Sequence, residues 1–185
     1  MNRVNLAKRL SQPVVLVGLM GAGKTTIGRR LAERLGWPFY DSDHEVEIAA
    51  GRTVSEIFSD FGEAAFRDGE RRVIARLIER SGQSVIALGG GAFINDATRA
   101  LIRAHALSVW LKVDIETLME RVLRRDTRPL LQTGDPRAVM ERLLAERSPV
   151  YAEADIHVTS PGAPHDAGVN AIIEAMAVRV EALEG

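Results

Sequence analysis

The chain has 185 residues, 46% of them hydrophobic, with no cysteine and a formal net charge of −1. That length and apolar content suit one compact domain with its own core, and the absence of cysteine excludes disulfides and thiolate metal sites. A charge near zero, with a sequence pI of about 6.4, argues against nucleic acid as the main partner. Residues 1–12 are too short and too polar for a secretory leader, and no apolar run reaches membrane-spanning length. The expectation is a cytoplasmic protein, monomeric by default because no long apolar surface stripe demands a partner.

Val14 to Val17 form a short apolar, β-branched run that reads as a buried parallel strand. It leads into Gly18-Leu19-Met20-Gly21-Ala22-Gly23-Lys24-Thr25, which fits the phosphate-loop pattern G-x-x-x-x-G-K-[ST]. Ile27, Leu31 and Leu35 then recur at helical spacing, with Gly36 as the stop. A second strand over 38–40 ends at Asp41, and helices are expected over 44–50, 54–61 and 63–80. A third strand, 84–88, ends in Gly89-Gly90-Gly91, after which Asn95 or Asp96 caps a helix to about His105. The fourth strand is 108–113, and Asp114 caps a helix through Arg125. Residues 126–136 are rich in breakers. A helix over 137–151, a fifth strand over 155–158, a loop through 160–164 and a closing helix from Asp166 complete the chain. Such alternation predicts a three-layer α/β/α fold around five parallel strands, whose carboxyl ends share the edge where these folds bind ligands.

The polar signals collect at that edge. Glycines in the phosphate loop let successive N–H groups face a polyphosphate, and the following helix adds its positive pole. Gly21, Ala22, Gly23, Lys24, Thr25 and Thr26 are therefore the expected nucleotide contacts, with Lys24 reaching the β/γ-phosphates and the Thr25 hydroxyl ligating Mg²⁺. Only three lysines occur in the chain (Lys8, Lys24 and Lys112), which makes one of them falling here informative. Asp41 and Asp43, two residues apart beyond a strand, suit one carboxylate beside the Mg²⁺ and one taking a proton from an attacking hydroxyl. The plainer alternative is an Asx turn or helix cap, which Asp43 could also supply. Three glycines at 89–91 favour close approach of backbone to ligand over a simple turn. Among many arginines, Arg67 has Glu70 one helical turn on to orient it, Arg128 lies in the breaker-rich stretch, and Arg147 lies near a helix end. An arginine in a mobile loop suits a transferring phosphoryl group, and two converging arginines suit a carboxylate. Arg29, Arg71, Arg76, Arg99 and Arg142 read as solvated surface residues.

Taken in order, GLMGAGKTT, Asp41-x-Asp43, Phe66-Arg67-x-x-Glu70, Gly89-Gly90-Gly91, Arg128-Pro129-Leu130-Leu131 and Glu146-Arg147-x-x-x-Tyr151 resemble the shikimate kinases over nearly the whole chain. The resemblance implies a nucleoside-monophosphate-kinase-like fold with strand order 2-3-1-4-5. It also implies Mg²⁺-dependent transfer of the ATP γ-phosphoryl group to the 3-hydroxyl of shikimate, on the route to aromatic amino acids. By the same likeness the chain is a single kinase domain over residues 1–185. It carries a phosphate loop at 18–25, a substrate-binding helical region at about 43–80 and a lid at about 126–136. Asp41 then stands on the magnesium side, and Asp43 holds the acceptor hydroxyls as the base. Arg67 and Arg147 grip the acceptor carboxylate, with Glu70 supporting Arg67. Gly89, Gly90 and Gly91 approach the ring, and Arg128 reaches the phosphates from the lid. Phe58 and Phe66 line the pocket or pack the core. Residues 160–163 and one of Arg121, Arg124 or Arg125 are candidates at the adenine. His44, His105, His157 and His165 match no catalytic position.

Two other functions fit parts of the pattern. A kinase of another small acid or polyol, such as gluconate, would use the same scaffold. A nucleotide-binding switch would keep the phosphate loop but lose the acceptor residues, all of which are present here.

Overall fold

The computed structural model describes residue 6 and residues 9–124, 134–159 and 165–184. Five parallel strands lie in the order β2-β3-β1-β4-β5. They are β1 (Val14–Val17), β2 (Phe39–Asp41), β3 (Val85–Ala87), β4 (Leu107–Lys112) and β5 (Ile156–Thr159). The central strand β1 has all four residues buried, because helices cover both faces of a parallel sheet and leave no polar side for alternation. Its register is fixed on both sides, with Val14 opposite Val85 in β3 and Leu107 in β4.

Helix α1 (Lys24–Leu35) follows β1 through the glycine-rich loop and buries Ile27, Leu31 and Leu35 against the sheet. Gly36 ends it in the left-handed region (φ 69), and its N–H closes back on the Glu33 carbonyl. Gly28, on the same buried face, faces Phe39 of β2 so closely that a Cβ would lie 2.7 Å from the ring. Helix α2 (Ser42–Ala50) starts where β2 stops. Helix α3 (Val54–Arg80) opens with a capping box between Thr53 and Glu56 and is broken at Gly62 (φ 83, ψ 171). The two helices expected over 54–61 and 63–80 are thus the two arms of one bent element.

Helix α4 (Asp96–His105) is capped by Asn95, α5 (Ile115–Leu123) by Asp114 and α6 (Pro136–Tyr151) by Asp135. The helix expected through Arg125 ends at Leu123, with Arg124 as its cap. Helix α7 (His165–Glu184) closes the chain against α1 and β5. Most of the expected lid, residues 126–133, and with it Arg128, lies outside the described residues, as do 160–163 and Arg125. No helix among the described residues is long and apolar enough to cross a membrane.

Candidate active site

β1, β2 and β3 end on the same edge, and each delivers one part of the site. The loop after β1 wraps the amino end of α1. Lys24 is buried, and its Nζ donates to the carbonyls of Gly18 (2.7 Å) and Leu19 (2.9 Å), which holds the ammonium inside the phosphate loop. Thr25 Oγ1 donates to Asp41 Oδ2 at 2.6 Å. The other oxygen of Asp41 accepts from the backbone N–H groups of Asp43 (3.1 Å) and His44 (3.4 Å), so Asp41 is the amino cap of α2. The capping job considered for Asp43 therefore belongs to Asp41, and Asp43 sits in the first turn of α2.

A hydroxyl and a carboxylate in contact at the end of a phosphate loop suit Mg²⁺. That ion takes one or two protein oxygens and completes its shell with waters and substrate phosphates. No cluster of three or more His, Cys, Asp or Glu able to hold a metal by itself occurs among the described residues.

Two cavities meet at Asp43. One, of about 440 Å³, is lined by the phosphate loop, Lys24, Thr25, Thr26, Asp41 and Asp43. The other, of about 470 Å³, is lined by Asp43, Phe58, Phe66, Arg67 and Arg147. Asp43, Gly89 and Gly90 line both. Phe58 and Phe66 stack at 4.8 Å between ring centroids; Phe66 is core and wall at once, as the sequence left open. A third, more apolar hollow of about 520 Å³ between α2 and α3 holds neither aspartate nor phosphate loop.

The triple glycine is explained by side chains that approach it. A Cβ at Gly89 would lie 2.6 Å from Asp43 Oδ1 and 2.8 Å from Glu70 Oε1. At Gly91 it would lie 2.5 Å from Arg67 Nη2, and at Gly90 it would face Met20 N (3.2 Å) and Arg147 Nη1 (3.6 Å). The glycines expected to make room for a ligand thus first make room for Asp43 and Glu70 at Gly89, Arg67 at Gly91 and the Met20 backbone at Gly90. Gly89 is further pinned by its N–H donating to Ser42 Oγ at 2.9 Å.

Arg67 Nη1 donates to Glu70 Oε2 at 2.8 Å, as the one-turn spacing predicts. Burial pushes the Glu70 carboxyl above its usual range against the pull of Arg67. Burial works against the Arg67 cation as well, but Glu70 and Glu63 outweigh it and keep the guanidinium charged. Glu70 Oε1 and Arg147 Nη1 are both buried with no hydrogen-bond partner among the described residues.

Two residues marked by sequence, Tyr151 and Arg121, gain contacts that no local pattern shows, and two unmarked ones, Glu47 and His165, join the cavities. Tyr151, 61 residues from Gly90 in the chain, donates its hydroxyl to the Gly90 carbonyl. Glu47 lines the cavity shared by Arg67 and Arg147. His165 and Arg121 line the phosphate-side cavity, with Arg121 Nη1 donating to Gly21 O at 3.1 Å. Sequence could place Arg121 among adenine candidates, but His165 was read as a bystander because nothing local ties it to the loop. Arg99 is corrected in the other direction. It is not a solvated arginine: it donates to the carbonyls of Phe93 (3.0 Å) and Ile94 (2.8 Å) and pairs with Asp96 and Glu153. Its job is to fasten the turn at residues 92–94 to α4.

A family model described as shikimate kinase matches residues 20–177. The shikimate kinase of Caulobacter vibrioides is 55% identical over 172 residues, spanning 93% of this chain and 86% of that protein. Among solved structures, the shikimate kinase from Acinetobacter baumannii in complex with shikimate superposes with a TM-score of 0.89. The match is at 36% identity, over 94% of this chain and 97% of that one. A gluconokinase from Sinorhizobium meliloti, at 18% identity and a TM-score of 0.64 over 95% of this chain and 97% of that one, shares the fold alone. The family match, the high identity to relatives over nearly the full length and the matching sheet order agree: the chain belongs to the shikimate kinase family.

Proposed function

We propose that the chain transfers the γ-phosphoryl group of ATP to the 3-hydroxyl of shikimate, with the donor over the phosphate loop and the acceptor between α3 and α6. The observation that carries this reading is the placement of Asp43 where the two cavities join. A carboxylate at that junction faces both the acceptor hydroxyl and the phosphorus it attacks.

Phosphoryl transfer asks the protein for positioning and charge rather than covalent work. The backbone amides from Gly21 to Gly23 and the Lys24 ammonium bind the donor phosphates, with Thr26 in the following turn. Thr25 and Asp41 would hold Mg²⁺, which when bound offsets negative charge on the phosphate oxygens. Asp43 orients the acceptor hydroxyl and takes its proton as the new O–P bond forms. Arg67 and Arg147, from two separate helices, take the acceptor carboxylate; the unpartnered Arg147 Nη1 is a donor left over for such a ligand. Gly89, Gly90 and Gly91 keep the floor of that pocket low enough for the ring. Arg128, placed by its sequence motif alone, is proposed to add positive charge to the phosphoryl group from the lid near 126–136. Two arginines beside one cavity favour an acid over the neutral end of a polyol, which separates this reading from an acceptor recognised only through hydroxyls.

A coupled assay of ADP release tests the reading directly. ADP should form with shikimate and Mg²⁺, and fall to background without shikimate, with gluconate in its place, or after EDTA. Asp43→Asn should lower kcat at least about 10³-fold, as loss of a base that also orients the nucleophile would, with ATP affinity kept. Turnover within tenfold of wild type would refute the role given to Asp43.

A further inference from the structure

Among the buried polar groups that the mechanism leaves unused, the phenol of Tyr151 is bonded to the loop beside the acceptor pocket. Its side chain is among the most deeply buried in the protein, packed 6.0 Å from Trp110 between ring centroids. A buried hydroxyl needs partners, and the ones it has belong to the acceptor pocket. Its O–H donates to the Gly90 carbonyl, in the loop that separates the two cavities. Arg147 lies one helical turn earlier on α6 and its guanidinium faces the phenol, drawing its pKa down while burial, the larger effect, pushes it up. Arg147 Nη1 lies 3.6 Å from where a Cβ on Gly90 would be.

The phenol, Gly90 and Arg147 thus form a triangle, and only Arg147 has a donor to spare. Helix α6 is weakened just here. Pro149 lies inside it between Arg147 and Tyr151, removing one backbone donor, while Ser148 Oγ donates to the Leu144 carbonyl at 2.6 Å. The end of a helix interrupted by proline is a poor platform for a long arginine unless something ties it to the wall opposite. Tyr151 is that tie.

We propose that Tyr151 is a positioning residue for acceptor selection: its hydroxyl, bonded to Gly90, fixes the distance between the glycine wall and Arg147, so that the arginine meets a carboxylate rather than a neutral group. This rests on Arg147 gripping the acceptor carboxylate. The phenol lines neither of the two cavities that meet at Asp43; it acts through Gly90 and Arg147.

The test compares shikimate with methyl shikimate, in which the carboxylate charge is removed and the ring hydroxyls are kept. The quantity read is the ratio of the two kcat/KM values measured on one preparation, which does not depend on the fraction of enzyme that is folded. Tyr151→Phe keeps the buried ring and deletes only the hydroxyl. It should lower the preference for shikimate about tenfold, mainly through KM for shikimate, with KM for ATP within twofold of wild type. An unchanged ratio would overturn the proposal, whether both activities fall together, as a merely structural hydroxyl would cause, or neither falls. Arg147→Ala separates the two layers of the argument. If it leaves the shikimate preference intact, the carboxylate grip itself fails; if it abolishes the preference while Tyr151→Phe does not, only the role of Tyr151 fails.

Discussion

Gly91→Ala should disable the acceptor side of the site while leaving the fold and the donor side in place. The backbone at Gly91 has φ −91 and ψ −11, which alanine adopts without strain, so the effect is steric. A methyl there would lie 2.5 Å from Arg67 Nη2, 2.6 Å from Cζ and 2.7 Å from Nη1. Ordinary contact between such atoms is about 3.5 Å or more, so the guanidinium must retreat by roughly 1 Å. Retreat breaks the alignment of its 2.8 Å bond to Glu70, and with it the grip on the acceptor carboxylate proposed for Arg67. A hydrogen bond to a charged group contributes about 1.5–3 kcal/mol, which is about a ten- to 150-fold change in an equilibrium constant. Misplacement by 1 Å can by itself cost about 10²-fold in rate. We therefore expect kcat/KM for shikimate to fall about 10- to 100-fold, most of it through KM. Because the obstructing atoms are the far end of a partly exposed side chain, the melting temperature should drop by only a few degrees. Steady-state kinetics with each substrate varied in turn decides the matter. Shikimate constants within twofold of wild type, or an equal loss on the ATP side, would refute the reasoning.

Other expectations follow from burial and packing. The Glu70 carboxyl is pushed above its ordinary value of 4.5 by burial, so its contribution to stability is fully present below about pH 4.5 and is lost as pH rises through its folded-state value. Glu70→Gln should flatten that part of the curve of melting temperature against pH while raising KM for shikimate, since Arg67 loses its anionic partner; calorimetry over the acid range would expose an unchanged slope. Gly28→Ala would place a methyl 2.7 Å from the Phe39 ring and 3.1 Å from Leu16, between a helix and two strands with little room to shift. Overpacking of about 1–3 kcal/mol exceeds the gain of about 1 kcal/mol from alanine's helix propensity, so a fall of several degrees in melting temperature is expected, and a rise would contradict it.

What could be read from sequence was whatever is local along the chain. The strand at 14–17, the loop and helix after it, and the stop at Gly36 follow from spacing and backbone chemistry within a few residues. The Arg67–Glu70 pair was legible for the same reason, being one helical turn apart. Strand order was not legible from spacing, since crossover connections fit more than one order; it came with the family resemblance. Contacts between distant segments were hidden as well. Tyr151 meets Gly90, Ser42 meets Gly89, and Arg99 grips the turn at residues 93–94, each through geometry that no local pattern encodes. The glycine triplet illustrates the boundary well. Sequence read the triplet as a close approach of backbone to ligand, and the fold was needed to show that the side chains of Asp43, Glu70 and Arg67 already crowd it.

Asp41 joins two bodies that the chain otherwise keeps apart. One of its oxygens is held by Thr25 at the head of α1, and the other holds the first amides of α2, the helix that carries Asp43. A pull on one oxygen is therefore felt at the other, over the width of a single carboxylate. On the proposed function, a cation held by Thr25 and Asp41 would share its carboxylate with the cap of the helix that carries Asp43. The same economy makes the joint brittle: a change there disturbs donor and acceptor together, whereas changes in α3 or α6 leave the donor side alone. New acceptors are thus more accessible to this scaffold than new donors.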